Sequence, residues 1–108
     1  MSKKKPAISK KEFSDIIKNG RKIQGQNISL FYKKAEVSKV GIAVSRAIKT
    51  AAQRNRAKRR FGEIIRKKNI DLNDGVLQVW MLGPNILTLP FLDIEKEYLE
   101  IINKLIKK

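Results

Sequence analysis

Two successive segments of the chain alternate apolar and polar residues with the period of two that is typical of β-strands. In residues 27–34 (NISLFYKK) the large apolar side chains share one face, at Ile28, Leu30 and Tyr32. Phe31 falls on the opposite face, with Ser29 and Lys33. In residues 37–45 (VSKVGIAVS) the larger apolar side chains are again in phase, at Val40, Ile42 and Val44. We expect the two segments to form an antiparallel pair.

Three segments have the signals of α-helices. The first begins at a capping-box match between Ser9 and Glu12 and ends at Asn19-Gly20. The second, residues 51–68, contains good helix formers and no proline. The third, residues 90–106, repeats apolar side chains at helical spacing and ends in basic residues.

The remaining segments complete a small α+β domain. Residues 76–82 (VLQVWML) predict a buried strand, residues 69–75 a loop, and residues 21–26 either a turn or a short irregular strand. The order helix, two or three strands, long helix, strand, helix predicts one sheet with helices packed on it. The chain has 108 residues, the length of a single domain. We expect residues 1–8 to be a basic, flexible N-terminal arm and residues 9–108 to be that domain.

The charge balance indicates a polyanionic partner. Lys and Arg number 25 against ten Asp and Glu, which leaves a formal net charge of +15. An excess of this size repels itself in the folded state and favours binding to nucleic acid or an anionic surface. No apolar run approaches the roughly 18 residues of a spanning helix, and the N-terminus lacks a signal-peptide pattern. We therefore expect a cytoplasmic protein without a membrane partner.

Missing residue types limit the chemistry of the chain. It contains no His and no Cys, which removes the commonest general acid–base, the thiol nucleophile and the usual zinc ligands. Its carboxylates are scattered, with no close Asp cluster of the kind that holds two metal ions for phosphodiester cleavage. We expect no catalytic residue and no metal site in this chain. If the chain belongs to an enzyme, another component performs the chemistry.

Residues 51–68 predict an amphipathic helix with a one-sided charge distribution. Its apolar face consists of Ala57, Phe61, Ile64 and Ile65. Glu63 is the single carboxylate of this segment, and cations cover most of the remaining circumference. Surface helices usually mix charges of both signs, and arginine suits phosphate, so the pattern favours nucleic acid. A solvated basic face without a partner is the alternative, and the charges alone do not distinguish DNA from RNA.

Within this helix, Arg54-Asn55-Arg56-Ala57-Lys58-Arg59 resembles the Arg-Asn-Arg-x-Lys-Arg signature of the protein subunit of bacterial ribonuclease P. The context is also similar. Val44-Ser45-Arg46 precedes the signature, Phe13 lies on the first helix, and a strand ends near Phe31. The resemblance extends from about residue 10 to residue 107.

The resemblance implies an αβββαβα domain, similar to some ribosomal proteins, with a left-handed crossover around the basic helix. It implies a monomeric protein that binds one catalytic RNA. That RNA, using Mg²⁺, removes the 5′ leader of precursor tRNA. The chain would be a non-catalytic subunit of this ribonucleoprotein endoribonuclease and would bind no cofactor besides the RNA.

The resemblance also implies two sets of binding residues. The first faces the catalytic RNA and comprises Arg46, Arg54, Asn55, Arg56, Lys58, Arg59 and Arg60. The second lines a cleft for the single-stranded leader, between the first helix and the sheet, and comprises Phe13, Ile17 and Phe31. The alternative for the two phenylalanines is a place in the core, to which we also assign Trp80 and Phe91.

The chain departs from the family pattern at several positions. Ala47 stands where a second basic residue is usual, Lys49 where a glycine is usual, and Gly62 where another arginine is usual. Gly62 costs about 1 kcal/mol of helix propensity relative to alanine. Ile17 replaces an aromatic residue, which favours apolar contact over stacking in the cleft.

Three other functions fit parts of the sequence. A structural RNA-binding protein, such as a small ribosomal protein, shares the size and basicity but gives no reason for the Arg-Asn-Arg signature. A DNA-binding regulator is less supported, because strands flank the basic helix where a helix-turn-helix would need a second helix. A self-sufficient protein nuclease lacks the catalytic groups.

Overall fold

The computed structural model describes residues 8–68 and 75–107. Within them the helices and strands follow the predicted order, with a short 3₁₀ turn at Pro84–Leu87. Residues 21–26, for which the sequence predicts either a turn or a short irregular strand, contain a regular strand, β1. The bounds are α1 Lys10–Asn19, β1 Arg21–Gln24, β2 Ile28–Lys34, β3 Lys39–Val44, α2 Ala51–Lys68, β4 Val76–Leu82 and α3 Phe91–Ile106.

The four strands form one mixed sheet in the order β1-β2-β4-β3. β1 and β2 form an antiparallel hairpin, β2 is antiparallel to β4, and β3 is parallel to β4. The expected antiparallel pair between β2 and β3 is therefore wrong, because β4 lies between them. β4 has apolar side chains on both faces. A central position in a sheet that is covered on both sides buries both of these faces. The parallel pairing of β3 with β4 is possible because α2 provides the crossover connection.

One face of the sheet is covered by α2 and α3. The indole ring of Trp80, fully buried in β4, lies 5.2 Å from the ring of Phe61 and 4.9 Å from that of Tyr98, between centroids. Aromatic contacts of this kind add to the free energy gained by burying apolar area. Burial also raises the pKa of Tyr98 to about 12. The predicted apolar face of α2 is confirmed, with Ala57, Phe61 and Ile64 fully buried and Ile65 partly buried.

The opposite face of the sheet is covered in part by α1. Ile16 of α1 is fully buried and packs with Leu77 and Val79 of β4. The predicted capping box at the start of α1 is confirmed. The Glu12 N–H donates to Oγ of Ser9 at 3.1 Å, and the Ser9 N–H donates to Oε1 of Glu12 at 3.0 Å. These bonds satisfy donors that a helix N-terminus otherwise leaves free.

Two predicted segments fall largely outside the described residues. Of the basic arm predicted at residues 1–8, only Ile8 is described, and it packs against the cluster beneath α1, near Gly41. Of the loop predicted at residues 69–75, only Gly75 is described, and its carbonyl accepts a hydrogen bond of 2.9 Å from Ala35 N–H. No helix in the described part of the chain has the length and apolar character to cross a membrane.

Candidate nucleic-acid interface

Four residues of the signature segment are exposed on α2: Asn55, Arg56, Lys58 and Arg59. The helix begins after Thr50, whose Oγ1 accepts a hydrogen bond of 3.2 Å from Gln53 N–H. Ala57 and Phe61 are buried, which determines which face of the helix points toward the core. The side chains of Asn55, Arg56, Lys58 and Arg59 consequently face solvent, where they are available to phosphate oxygens.

Arg54 has a different environment from its neighbours. Its Nη1 donates hydrogen bonds to the backbone carbonyls of Ile48 at 2.9 Å and Ser45 at 3.4 Å. Its Nη2 donates to the carbonyl of Val44 at 3.3 Å. The guanidinium group thereby joins the end of β3 to the first turns of α2. Its backbone contacts make Arg54 a residue that positions the basic helix.

Arg60 makes a similar contact on the other side of α2. Its Nη2 donates to the carbonyl of Leu89 at 2.6 Å, and its Nη1 donates to the carbonyl of Leu87 at 3.4 Å. These carbonyls belong to the segment between β4 and α3. Arg60 therefore links α2 to the start of α3. Arg54 and Arg60 each lie three residues from buried Ala57, a spacing that places both side chains at the borders of the apolar stripe.

Arg46 lies outside α2, in the turn that follows β3, and its side chain is exposed. The turn is stabilised by Ser45, whose Oγ accepts a hydrogen bond of 3.1 Å from Ala47 N–H. Ser45 also binds Arg54 through its carbonyl oxygen. The structure thus joins the Arg46 turn directly to the start of the basic helix.

A groove runs between α2 and the first residue of α3. Phe91 lines it from α3, and its α2 side is lined by Ala52, Asn55, Arg56, Arg59, Arg60 and Glu63. The carboxylate of Glu63 is paired with Arg66, at 3.4 Å. The prediction that Phe91 belongs to the core holds in part, because its ring packs against the core while one part remains exposed in the groove. No local pattern indicates that Phe91 lies beside the signature arginines, since 32 positions separate it from Arg59.

The residues predicted to line a second surface lie between α1 and the sheet. Phe13 and Phe31 are half-buried and pack around the same cluster of Ile16, Leu77 and Val79. Ile17 is more exposed, at 36%. Each phenylalanine therefore packs against the core cluster and also remains partly exposed. A place in the core and a place in an exposed cleft do not exclude each other here.

Two ion pairs hold α1 against this face of the sheet. Nζ of Lys39 lies 3.0 Å from Oε2 of Glu12, and Nζ of Lys33 lies 2.6 Å from Oδ2 of Asp15. A backbone hydrogen bond from Ser9 and then the ammonium of Lys39 lower the pKa of Glu12. A hydrogen bond from Lys33 lowers the pKa of Asp15. Both lysines are thus paired with carboxylates of α1.

A third lysine on this face has an aromatic partner. Nζ of Lys22 lies 5.2 Å from the ring centroid of Phe31, within the range of a cation–π interaction. The register explains the contact, because Lys22 of β1 is paired with Phe31 of β2. The sequence did not single out Lys22, since the pairing of β1 was not predicted. Its ammonium places a positive charge beside the exposed ring.

No group of three or more His, Cys, Asp or Glu side chains within residues 8–68 and 75–107 is arranged to hold a metal ion. The carboxylates of α1 are instead engaged by lysines, at Glu12 and Asp15.

The matches among known sequences agree with the resemblance seen in the signature segment. A family model described as Ribonuclease P matches residues 1–106. A ribonuclease P protein component from Fusobacterium nucleatum is 35% identical over 92 residues, covering 80% of this chain and 83% of the relative. One from Finegoldia magna is 26% identical over 95 residues, covering 87% and 84% of the two chains.

Solved structures show a similar fold. The ribonuclease P protein from Thermotoga maritima superposes with a TM-score of 0.78 at 21% identity, covering 94% of this chain and 97% of that one. The ribonuclease P protein from Staphylococcus aureus superposes with a TM-score of 0.76 at 16% identity, covering 90% and 91%. The predicted fold class, a single small α+β domain, is thereby confirmed.

Proposed function

The chain belongs to the ribonuclease P protein family, and on this basis we propose that it assists removal of the 5′ leader from precursor tRNA. Its partner is a catalytic RNA, with which it forms a 1:1 complex. In this complex the RNA, using Mg²⁺, cuts the phosphodiester bond. The protein binds both the catalytic RNA and the leader.

One observation carries this proposal, the exposed and predominantly cationic face of α2. Asn55, Arg56, Lys58 and Arg59 reach solvent together. Arg54 fastens the helix to β3. A rigid helix that presents several cations at fixed spacing suits a folded RNA, whose closely spaced phosphates are also fixed.

The contribution of the protein is electrostatic and positional. Neutralising roughly six to ten phosphates makes affinity fall about 10³- to 10⁵-fold between 50 and 200 mM salt. The same neutralisation replaces part of the countercharge that Mg²⁺ otherwise supplies to a compact RNA. We therefore expect the protein to lower the Mg²⁺ concentration that the RNA needs.

The surface between α1 and the sheet is the proposed site for the leader. Phe13 and Phe31 offer exposed ring area, and Lys22 places a positive charge beside Phe31. Aromatic rings and a nearby cation are the groups that bind single-stranded nucleic acid without strong sequence preference. Ile17, which lies on α1 with Phe13, adds an exposed apolar side chain to this surface.

A binding competition tests the proposal against the structural RNA-binding alternative. The protein is titrated with its host's catalytic RNA and with a ribosomal RNA fragment of equal length, at matched salt and Mg²⁺. We expect the catalytic RNA to bind at least tenfold more tightly. Equal affinity, or preference for the ribosomal fragment, would contradict the proposed function.

A further inference from the structure

The groove between α2 and α3 combines two kinds of group that no single element supplies. α2 contributes the guanidinium groups of Arg56 and Arg59, and α3 contributes the exposed part of the Phe91 ring. Arg60 also lines the groove. Cations beside an exposed aromatic ring match the phosphate and the base of one nucleotide, respectively.

Two of the residues that line the groove, Arg60 and Phe91, are held in place before any partner binds. Arg60 is fixed by its bonds to the carbonyls of Leu87 and Leu89. The Phe91 ring packs against the core, and Nζ of Lys67 lies 5.7 Å from its centroid. Lys67 is also 3.5 Å from a carboxylate oxygen of Glu95. Side chains that are already ordered, as Arg60 and Phe91 are, lose little conformational entropy when a ligand binds.

We propose that this groove binds one unpaired nucleotide of the catalytic RNA, with its base against Phe91 and its phosphate against Arg56 and Arg59. The inference rests on the proposed function, because it assumes that the catalytic RNA binds at α2. Bases within an A-form duplex are stacked and are not accessible to a side chain at their faces. The groove therefore selects a bulged or single-stranded nucleotide, whereas the rest of α2 contacts phosphates of any paired segment.

Substitutions at Phe91 test this assignment. Phe91→Leu keeps an apolar side chain but removes the ring, and Phe91→Trp keeps a ring. We expect Phe91→Leu to weaken binding to the host's catalytic RNA about 5- to 150-fold, the range found for loss of one base–aromatic stack. We expect Phe91→Trp to bind within about threefold of the parent. Neither removes a cation, so the dependence of affinity on salt should not change.

Leu92→Ala is the matched control, because Leu92 is the next residue, is 71% exposed and does not line the groove. It should bind as the parent does. If Phe91→Leu also binds as the parent does, while Arg56→Ala weakens binding, the base site is wrong and the proposed function stands. If the parent shows no preference for the catalytic RNA, the proposed function itself fails.

A second measurement uses the parent protein and does not depend on the folding of a variant. The complex with the catalytic RNA is irradiated at short ultraviolet wavelength, digested and analysed by mass spectrometry. We expect the peptide that contains Phe91 to carry a cross-linked nucleotide from an unpaired position. Cross-links on α2 peptides without any at Phe91 would overturn the assignment.

Discussion

Nη1 of Arg54 donates a hydrogen bond of 2.9 Å to the backbone carbonyl oxygen of Ile48. Arg54 is the first residue of the basic signature, yet its guanidinium group joins the β3–α2 connection to the helix. Arg56, two positions later, is exposed. The signature therefore contains a residue that positions the helix and residues that face solvent.

Arg54→Ala should destabilise the fold, whereas Arg56→Ala should not. Loss of the Arg54 guanidinium removes the donor from the carbonyls of Ile48 and Val44, which should lower the free energy of unfolding by roughly 1–3 kcal/mol. Arg56→Ala should change it by about 0.5 kcal/mol or less. Urea denaturation of both variants measures the difference. Equal stabilities would contradict the structural role of Arg54.

The exposed arginines Arg56 and Arg59 should affect RNA binding and its dependence on salt. Arg56→Ala and Arg59→Ala should each weaken binding to the catalytic RNA and reduce the slope of log affinity against log salt by about one. The measurement is a Kd at several salt concentrations. An unchanged slope for Arg56→Ala would show that this residue contacts no phosphate.

Phe31→Leu should weaken the binding of precursor tRNA but not the binding of the catalytic RNA. Leucine keeps most of the packing against Ile16 and Val79 but removes the ring beside Lys22. We expect weaker binding of precursor tRNA to the assembled enzyme, with binding of mature tRNA and of the catalytic RNA unchanged. Titration with both tRNA forms measures this. Unchanged precursor affinity would remove Phe31 from the leader site.

Gly62→Ala should stabilise the protein, and Gly25→Ala should destabilise it. A Cβ atom at Gly62 would have Ile42 Cδ1 as its nearest neighbour, at 4.0 Å. The gain in helix propensity of about 1 kcal/mol should therefore raise the Tm by roughly 4–8 °C.

At Gly25 a Cβ atom would lie 2.5 Å from the carbonyl oxygen of Ile28 and 2.6 Å from Oε2 of Glu97. Accommodating this methyl group should cost roughly 1–3 kcal/mol. Thermal denaturation of the two alanine variants compares them directly. A lower Tm for Gly62→Ala would mean that the helix needs this glycine.

Acid should loosen α1 from the sheet. The pKa values of Glu12 and Asp15 lie below their ordinary values of 4.5 and 3.8, because hydrogen bonds and lysines favour the charged forms. The stabilisation that they provide is complete above those ordinary values and is lost as the pH falls through the lowered ones. Hydrogen exchange of α1 amides between pH 6 and pH 3, corrected for intrinsic rates, should show decreasing protection.

Glu12→Gln combined with Asp15→Asn is the control for this prediction. In this double variant the lysines Lys39 and Lys33 lose their charged partners. Protection of α1 should be lower at pH 6 and should vary less with pH. An unchanged pH dependence in the double variant would assign the effect to other groups.

Local patterns in the sequence predicted most of the fold. The Ser9–Glu12 capping box and the buried stripe of α2 involve residues three or four positions apart, so periodicity reveals them. The partner of β2 could not be found in this way. Alternation shows which face of a strand is buried but not which strand is adjacent, and here β4 separates β2 from β3.

The sequence predicts those features of the candidate site that depend on residue type and helical spacing. It does not predict those that depend on contacts between distant segments. The exposed positions of Arg56 and Arg59 follow from helical projection alone. The contacts of Arg60 with Leu89 and of Lys22 with Phe31 require the packed structure. The sequence predicts Phe91 in the core, and its partial exposure beside α2 becomes apparent only from the packed structure.

Cleavage of precursor tRNA at low Mg²⁺ tests the proposed function most directly. The host's catalytic RNA is assayed with and without the protein, and the protein is also assayed alone. We predict that the protein stimulates cleavage by the RNA, that Arg56→Ala reduces this stimulation, and that the protein alone cleaves nothing. Cleavage by the RNA that is the same with and without the protein would contradict the account.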